Sequence, residues 1–400
     1  MVNFVSLVIG GYVNGYSIIS ELYDSGVREI WLFDYGSSLS RYSNKIKGFS
    51  VIEKKPESLE KALKDLRKKY EYIVCFPTDD LQLALLSNIY NSIKGFCFVP
   101  FNVENLDKSQ NKFFQYVCCE RIGIPCPKTI EITDKNEICK IFNLNFPLIV
   151  KPSKREDLTT DVFRNIYLEK RSDFQNIKNK IMEYLESNIE FIFSEFVPGD
   201  DTNIYAYTAY RSKSGKILNE WTGKKLNQYP DLFGVFSSAS NEAPDIIRVQ
   251  GRKLLEEMNL YGIIEPEFKL DSRDGKYKLM EINLRSMMWH RVGYLSGVPL
   301  HCSQLFDALG KKVSRKSQNK KEIVHFIYFK HEFFNLLTRK GYFKFFMKNI
   351  FRSDRSNFAI FDLTDIKPFL YDLMSYPRRF VVLCLKPYLM RFVKRLKESS

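Results

Sequence analysis

Histidine is scarce, at four positions in 400 residues (His290, His301, His325 and His331), and these do not cluster as metal ligands. The eight cysteines include no CxxC pair and no zinc-like spacing. That usage excludes a zinc module or a disulfide framework and fits a reducing compartment, with the thiols as small buried hydrophobes. No apolar run approaches the ~20 residues of a membrane-spanning helix. No lysine or arginine precedes the first apolar run, which breaks at Gly10-Gly11, so a secretory signal is not expected and the chain is placed in the cytoplasm. There is no internal repeat, no long linker and no GxGxxG fingerprint, which removes solenoids and the usual dinucleotide site.

What is present is a packed globular composition, 44% hydrophobic and 15% aromatic, long enough for two or three domains. The net charge of +14 is uneven, because residues 315–400 hold 19 Lys/Arg against 7 Asp/Glu, leaving the first 314 residues near neutral. A basic tail and a neutral core need separate explanations.

Residues 1–105 alternate buried strands and amphipathic helices ("FVSLVIGG", "YSIISELYDSG", "EIWLFD", "LEKALKDLRKKY", "YIVCFPTDD", "GFCFVPF"), the pattern of a parallel α/β sheet. Its loops after the strands, Gly10-Gly11 and Thr78-Asp79-Asp80, are where such sheets bind ligands. A helix over "LDKSQNKFFQYVCCERIGIPCP" follows, then the strands "FPLIVKPS" and "FIFSEFVPGDD", a strand from "NIYAYTAYRSKSGKI", and the helix "VQGRKLLEEMNLYG". "IIEPEFKLDSRDGKYKLMEINLR" reads as a hairpin turning at Arg273-Asp274-Gly275.

Glu281, Asn283 and Arg285 fall on one side of the second hairpin strand, because side chains alternate faces. Pairing about the turn brings Glu267 beside Glu281 and Asn283. Two carboxylates and an amide oxygen form a hard-oxygen set suited to Mg²⁺ completed by nucleotide phosphates and water. Arg285 on the same side suits a phosphoryl group or a carboxylate, and Lys151, emerging from an apolar strand, suits a phosphate. The bland alternatives, a solvated edge hairpin and a strand-end lysine reaching water, stay open at this level.

In order, "NKFFQYVCCERIGIPCP", "FPLIVKP", "SEFVPGDD", "GIIEPEFKLDSRDGKYKLMEINLRS" and "YLSGVPL" resemble the ATP-grasp superfamily of carboxylate–amine ligases over residues 1–312. The nearest branch is that of bacterial amino-acid ligases containing D-aspartate ligase, with relatives in cell-surface polysaccharide biosynthesis. The resemblance implies an ATP-grasp fold in four parts: a Rossmann-like pre-ATP-grasp domain over 1–105, a small subdomain over 106–190, a large subdomain with the metal hairpin over 191–313, and a basic, mainly helical extension over 314–400. It implies ATP and Mg²⁺ (two ions, with Mn²⁺ an alternative), with Lys112 and Lys151 on phosphates and Glu195, Phe196 and Val197 along the adenine. It also places Asp201 on the ribose and Glu267, Glu281 and Asn283 on the metal. Arg285 and Lys225 are the implied catalytic residues, and Thr78, Asp79, His290 and Arg291 the substrate contacts. Leu284 departs from the family's usual proline, Ser194 from its usual acid or amide, and the loop after Lys151 lacks glycines; Lys154 or Arg155 is a phosphate candidate there, with ordinary solvated loop charges the favoured reading.

The implied reaction activates a carboxylate as an acylphosphate with release of ADP, and an amine then attacks. The amine is an amino acid or similar molecule, and the envelope branch suggests a glycan or peptide precursor as partner. Cys302 beside His301 reads as core, not nucleophile. In the tail, "HEFFNLLTRKGYFKFFMKNIFR" and "YLMRFVKRLKES" interleave bulky apolar residues with basic ones, which fits an anionic membrane or lipid-linked glycan at the inner face, or simple packing on the core. Nucleic acid is not expected, and a homodimer stays open. Rival readings are a ligase making a free dipeptide or soluble amide, a membrane-peripheral ATP-binding scaffold, and a basic nucleic-acid binder with a vestigial nucleotide fold.

Overall fold

The computed structural model describes residues 3–153, 162–163, 165–230, 234–374 and 376, whose strands form three sheets. The first contains β1 (Phe4–Ile9), β2 (Ile30–Asp34), β3 (Gly48–Val51), β4 (Tyr72–Pro77) and β5 (Cys97–Phe98). All are parallel, in the order β3-β2-β1-β4-β5. Val5, Ser6, Leu7, Val8 and Ile9 are all wholly buried, as expected of strands covered on both faces. The order reverses between β1 and β4, so the loops after these two strands lie side by side at the crevice where such sheets take ligands. Their closeness is why Gly10 is glycine: its φ is +91°, and a Cβ there would sit 2.2 Å from Thr78 Oγ1.

The second sheet holds β6 (Thr129–Ile132), β7 (Leu148–Pro152), β8 (Ile166–Leu168) and β9 (Phe191–Glu195), antiparallel in the order β6-β9-β7-β8. The helix Arg171–Glu186 lays Phe174, Ile181 and Leu185 against Phe191 and Phe193. The spacing i, i+7, i+11 keeps these three on one helical face.

The third sheet carries β10 (Ile204–Arg211), β11 (Ile217–Tyr229), β12 (Val235–Ser240), β13 (Gly262–Asp271), β14 (Lys276–Asn283), β15 (Val324–Ile327) and β16 (Arg355–Phe358). Its order is β14-β13-β10-β11-β12-β15-β16, with the expected hairpin, β13–β14, at one edge.

One expectation meets a different structure and another is extended. The helix anticipated as continuous after residue 105 is two, Leu106–Gln110 and Lys112–Arg121. Asn111 between them has extended backbone and accepts a hydrogen bond from Phe114 N at 2.8 Å, capping the second. The chain past 313 is mainly helical among its described residues, as expected, but it also adds two strands to the large sheet. β15 pairs with β12 and β16 with β15, so the large sheet runs on through this region. Its apolar "EIVHFIYF" pairs as a strand because β12 presents an open edge; the lysine-rich stretch before it is only the connection. The helices Phe329–Thr338, Tyr342–Arg352 and Lys367–Met374 surround those strands. Beyond β16 the chain returns to the first domain, where Asp365 accepts hydrogen bonds from Asn44 N (2.9 Å) and Tyr16 OH (3.2 Å), and Lys45 pairs with Asp362 at 2.7 Å. Lys154, Arg155 and the segment "YLMRFVKRLKES" lie outside the described residues. No helix among the described residues is long and apolar enough to cross a membrane.

Candidate active site

The hairpin registers Glu267 against Glu281 and Glu265 against Asn283. A bulge makes this arrangement possible: Phe268 pairs with Leu279, so Met280 is the extra residue. Without it Leu279 and Glu281 would share a face. With it Leu279 joins Phe268 in the core while Glu281 and Asn283 turn to the carboxylate side. The free edge of β14 is closed by the helix Lys112–Arg121, whose Gln115 carboxamide accepts from Ile282 N (3.0 Å) and donates to Ile282 O (3.4 Å), and whose Tyr116 hydroxyl donates to Met280 O (2.8 Å). That clamp fixes the start of the helix, and Lys112 with it, beside the hairpin. Lys112 N also donates to Ser153 O at 3.3 Å, which brings the end of β7, and Lys151, to the same place.

Four cations therefore surround Glu281. Burial works against its ionisation, yet Lys151, Lys112, Lys225 and Arg285 together hold its pKa below the ordinary carboxylate value. Its neighbours go the other way. Burial raises Glu267, and burial raises Glu265 to about 8 despite nearby Lys225 and Arg285. Lys225, on β11 and buried, sets its ammonium 2.6 Å from Glu267 Oε2. Burial disfavours its charge, but Glu267, Glu265 and Glu281 keep its pKa above that of a free lysine.

Glu265 had no place in the sequence reading. It is fully buried on the face shared with Glu267, and its Oε2 lies 2.7 Å from His290 Nε2. Its signal was visible, a second carboxylate two residues before Glu267 in an otherwise apolar run, and Pro266 between them does not alter the face. Its Oε1 has no hydrogen-bond partner among the described residues, nor has the buried Asn283 Nδ2.

Arg285 does not point into open space. Its Nε and Nη2 lie 2.8 and 3.1 Å from the two oxygens of Asp80, across 205 residues. Burial disfavours the guanidinium and Asp80 outweighs it, raising the pKa. Of the loop candidates Thr78, Asp79 and Asp80, Asp80 makes the direct contact with Arg285, and the charge of Asp79 acts on the same guanidinium. Thr78 donates to Ile9 O (2.8 Å), and Asp79 caps the helix Asp80–Asn88 by accepting from Gln82 N (2.9 Å). The expected substrate contacts His290 and Arg291 both have partners within the protein. His290 is 2% exposed with both ring nitrogens engaged, and Arg291 pairs with Asp24 at 2.9 Å. Cys302 is buried.

In the segment expected to edge the nucleotide, Glu195 N donates to Lys128 O and Phe196 N to Pro147 O, each at 2.9 Å, and the Glu195 carboxylate accepts from Asn145 Nδ2 at 2.9 Å. Val197 is buried beside them. Asp201 begins a short 3₁₀ turn, and its side chain lies outside what is described.

No group of three or more His, Cys, Asp or Glu side chains among the described residues is arranged to hold a metal ion. The protein itself offers two facing carboxylates and an amide, fewer ligands than a full cage. That number fits Mg²⁺, which draws its remaining oxygens from phosphates and water.

No protein-family model matches the chain. The curated D-aspartate ligase of Enterococcus faecium is 26% identical over 306 residues, covering 70% of this chain and 71% of its own length. The structure of N5-carboxyaminoimidazole synthetase from Staphylococcus aureus complexed with ADP superposes with a TM-score of 0.61 at 14% identity over 80% of each chain. The L-amino acid ligase of Bacillus licheniformis gives 0.57 at 13% identity, covering 77% of this chain and 75% of its own. Biotin carboxylase of Campylobacter jejuni, complexed with an ATP analogue, gives 0.62 at 11%, covering 80% and 74%.

Proposed function

We propose, for a chain that belongs to the ATP-grasp superfamily of carboxylate–amine ligases, that it joins an amino acid to a partner from the cell envelope, a glycan or peptide precursor, at the inner face of the membrane. The carboxylate takes the γ-phosphoryl group with ADP leaving, and the amine then displaces phosphate from the acylphosphate to form the amide. The observation that carries this reading is the meeting of Glu267, Glu281 and Asn283 with Lys112, Lys151, Lys225 and Arg285 at one edge of the large sheet.

In this reading Lys112 and Lys151 bind the nucleotide phosphates and the adenine edge meets Val197, since the Glu195 and Phe196 amides are already engaged. Asp201 serves the ribose. Glu267, Glu281 and Asn283 hold Mg²⁺ or Mn²⁺, which when bound neutralises phosphate charge during transfer. Arg285, oriented by Asp80, steadies the carboxylate and the phosphoryl group it receives. Lys225 balances Glu267 and Glu281 and supplies a cation at the transfer site. The chain contributes position and charge rather than a covalent nucleophile.

The test is the change in melting temperature on adding ATP and Mg²⁺ to the wild type and to Lys151→Ala and Glu281→Ala. Nucleotide at 100 times its dissociation constant stabilises by about 2.7 kcal/mol. A magnesium-dependent shift that shrinks in both variants is expected, followed by ADP release on screening pairs of amino acids and envelope carboxylates. A well-folded wild type that shows no shift sinks the reading.

A further inference from the structure

The helix Tyr342–Arg352 faces the wrong way for a soluble protein. Its buried residues are Tyr342 and Asn349, seven apart, and Tyr342 OH donates to Glu332 Oε2 at 2.6 Å to anchor that side. The opposite side carries Phe343, Met347 and Phe351 at i, i+4 and i+8, and Phe343 and Phe351 are 65% and 80% exposed. Lys344 and Lys348 run beside them with the same spacing, and Arg352, next in that row, pairs with Glu242 at 2.9 Å. A lone exposed aromatic needs no explanation, but an outward aromatic ridge bordered by a basic one does.

Charge decides what covers it. Residues 377–400 carry seven Lys/Arg against one Glu, so the chain's own tail would bring more positive charge to a basic rim. A second copy would set one basic ridge against another. An anionic surface complements the rim and accepts the aromatics as well. We propose that this helix docks on an anionic lipid surface. Phe343, Met347 and Phe351 enter the boundary between headgroups and acyl chains, and Lys344 and Lys348 meet the lipid phosphates. This rests on the placement at the membrane face proposed above and names the surface responsible.

The test is co-sedimentation of the full chain with vesicles of phosphatidylcholine alone or mixed with phosphatidylglycerol. The variants are Phe343→Ser/Phe351→Ser and Lys344→Gln/Lys348→Gln, with melting temperature as a check on folding. Wild type is expected to bind the anionic vesicles and not the neutral ones. Each lysine removed should weaken binding about fivefold, and the double serine variant should not be retained. Equal binding by the wild type and both variants assigns the contact to the tail and overturns the proposal. So does absence of wild-type binding, or a dimer that only the serine variant dissociates. ADP release without vesicles reports the ligase reading separately, so either can fail alone.

Discussion

Glu265 and His290 form a closed pair: His290 Nε2 lies 2.7 Å from Glu265 Oε2, and neither side chain reaches solvent. His290 Nδ1 accepts from Met287 N at 3.2 Å, so the proton sits on Nε2 and points at the carboxyl. Burial, with His301 nearby, holds the His290 pKa well below its usual value, which keeps the ring neutral. The pair ties the turn after β14 to the strand bearing Glu267.

Replacing His290 by alanine leaves the buried Glu265 carboxyl with only the long hydrogen bond from Thr208 Oγ1 at 3.4 Å. The expected loss is about 2 kcal/mol of stability, read by urea denaturation, together with weaker ATP–Mg²⁺ binding. His290→Gln can return a donor at the Nε2 position and should recover part of both. Equal damage from Gln and Ala would show that ring packing, not the hydrogen bond, matters.

Asp80→Asn removes the charge that orients Arg285 while keeping its size. ADP release is expected to fall about a hundredfold, the order of loss a misplaced group produces. The melting shift with ATP and Mg²⁺ should persist, because Asp80 belongs to the first domain and faces Arg285 rather than the lysines. Steady-state rates beside thermal shifts separate the two effects.

Gln115→Leu would strip both hydrogen bonds from Ile282 on the edge strand. A cost of about 1–3 kcal/mol in stability is expected. Nucleotide affinity should fall as well, since the same helix sets Lys112. Denaturant melts and equilibrium nucleotide titration measure each part.

Gly262 opens β13 with φ +104°, and a Cβ there would sit 1.8 Å from Pro100 O. Gly262→Ala is expected to destabilise by about 2 kcal/mol or more, from backbone strain and the clash together. Preserved stability in that variant would mean the first domain gives way easily at Pro100.

Asp362 shows how acid acts on the return of the chain. Burial opposes its ionisation, but hydrogen bonds from Lys45 and Thr364 and the Lys45 charge lower its pKa from 3.8 to about 2. A depressed folded-state pKa contributes stability above the unfolded value, lost as pH falls through the folded one. The wild type should lose stability between about pH 4 and pH 2, and Asp362→Asn should flatten that part of the curve. Stability against pH for the two proteins gives the answer.

The parts of the site legible in the sequence were those with a short period. Glu281 and Asn283 alternate along one strand, Arg285 follows two residues past its end, and Asp274-Gly275 marks the turn that brings Glu267 opposite. Asp80 against Arg285 and Lys225 against Glu267 join distant segments, and no local pattern announces such contacts. The bulge at Met280 was equally silent, since it depends on the packing of Leu279 against Phe268. β15 and β16 hid behind composition: four-residue strands in a basic C-terminal region read as tail until an open edge of sheet is there to pair them.

That pairing bears on the order in which the protein can be built. A ribosome delivers β10 to β14 first, and β12 then shows a bare edge from Ser238 to Ser240 until residues 325–327 emerge to hydrogen-bond it. An unpaired edge invites a neighbouring chain. Translation must pass the strand that covers β12, and then Asp362 and Asp365, before the large sheet is closed and held against the first domain.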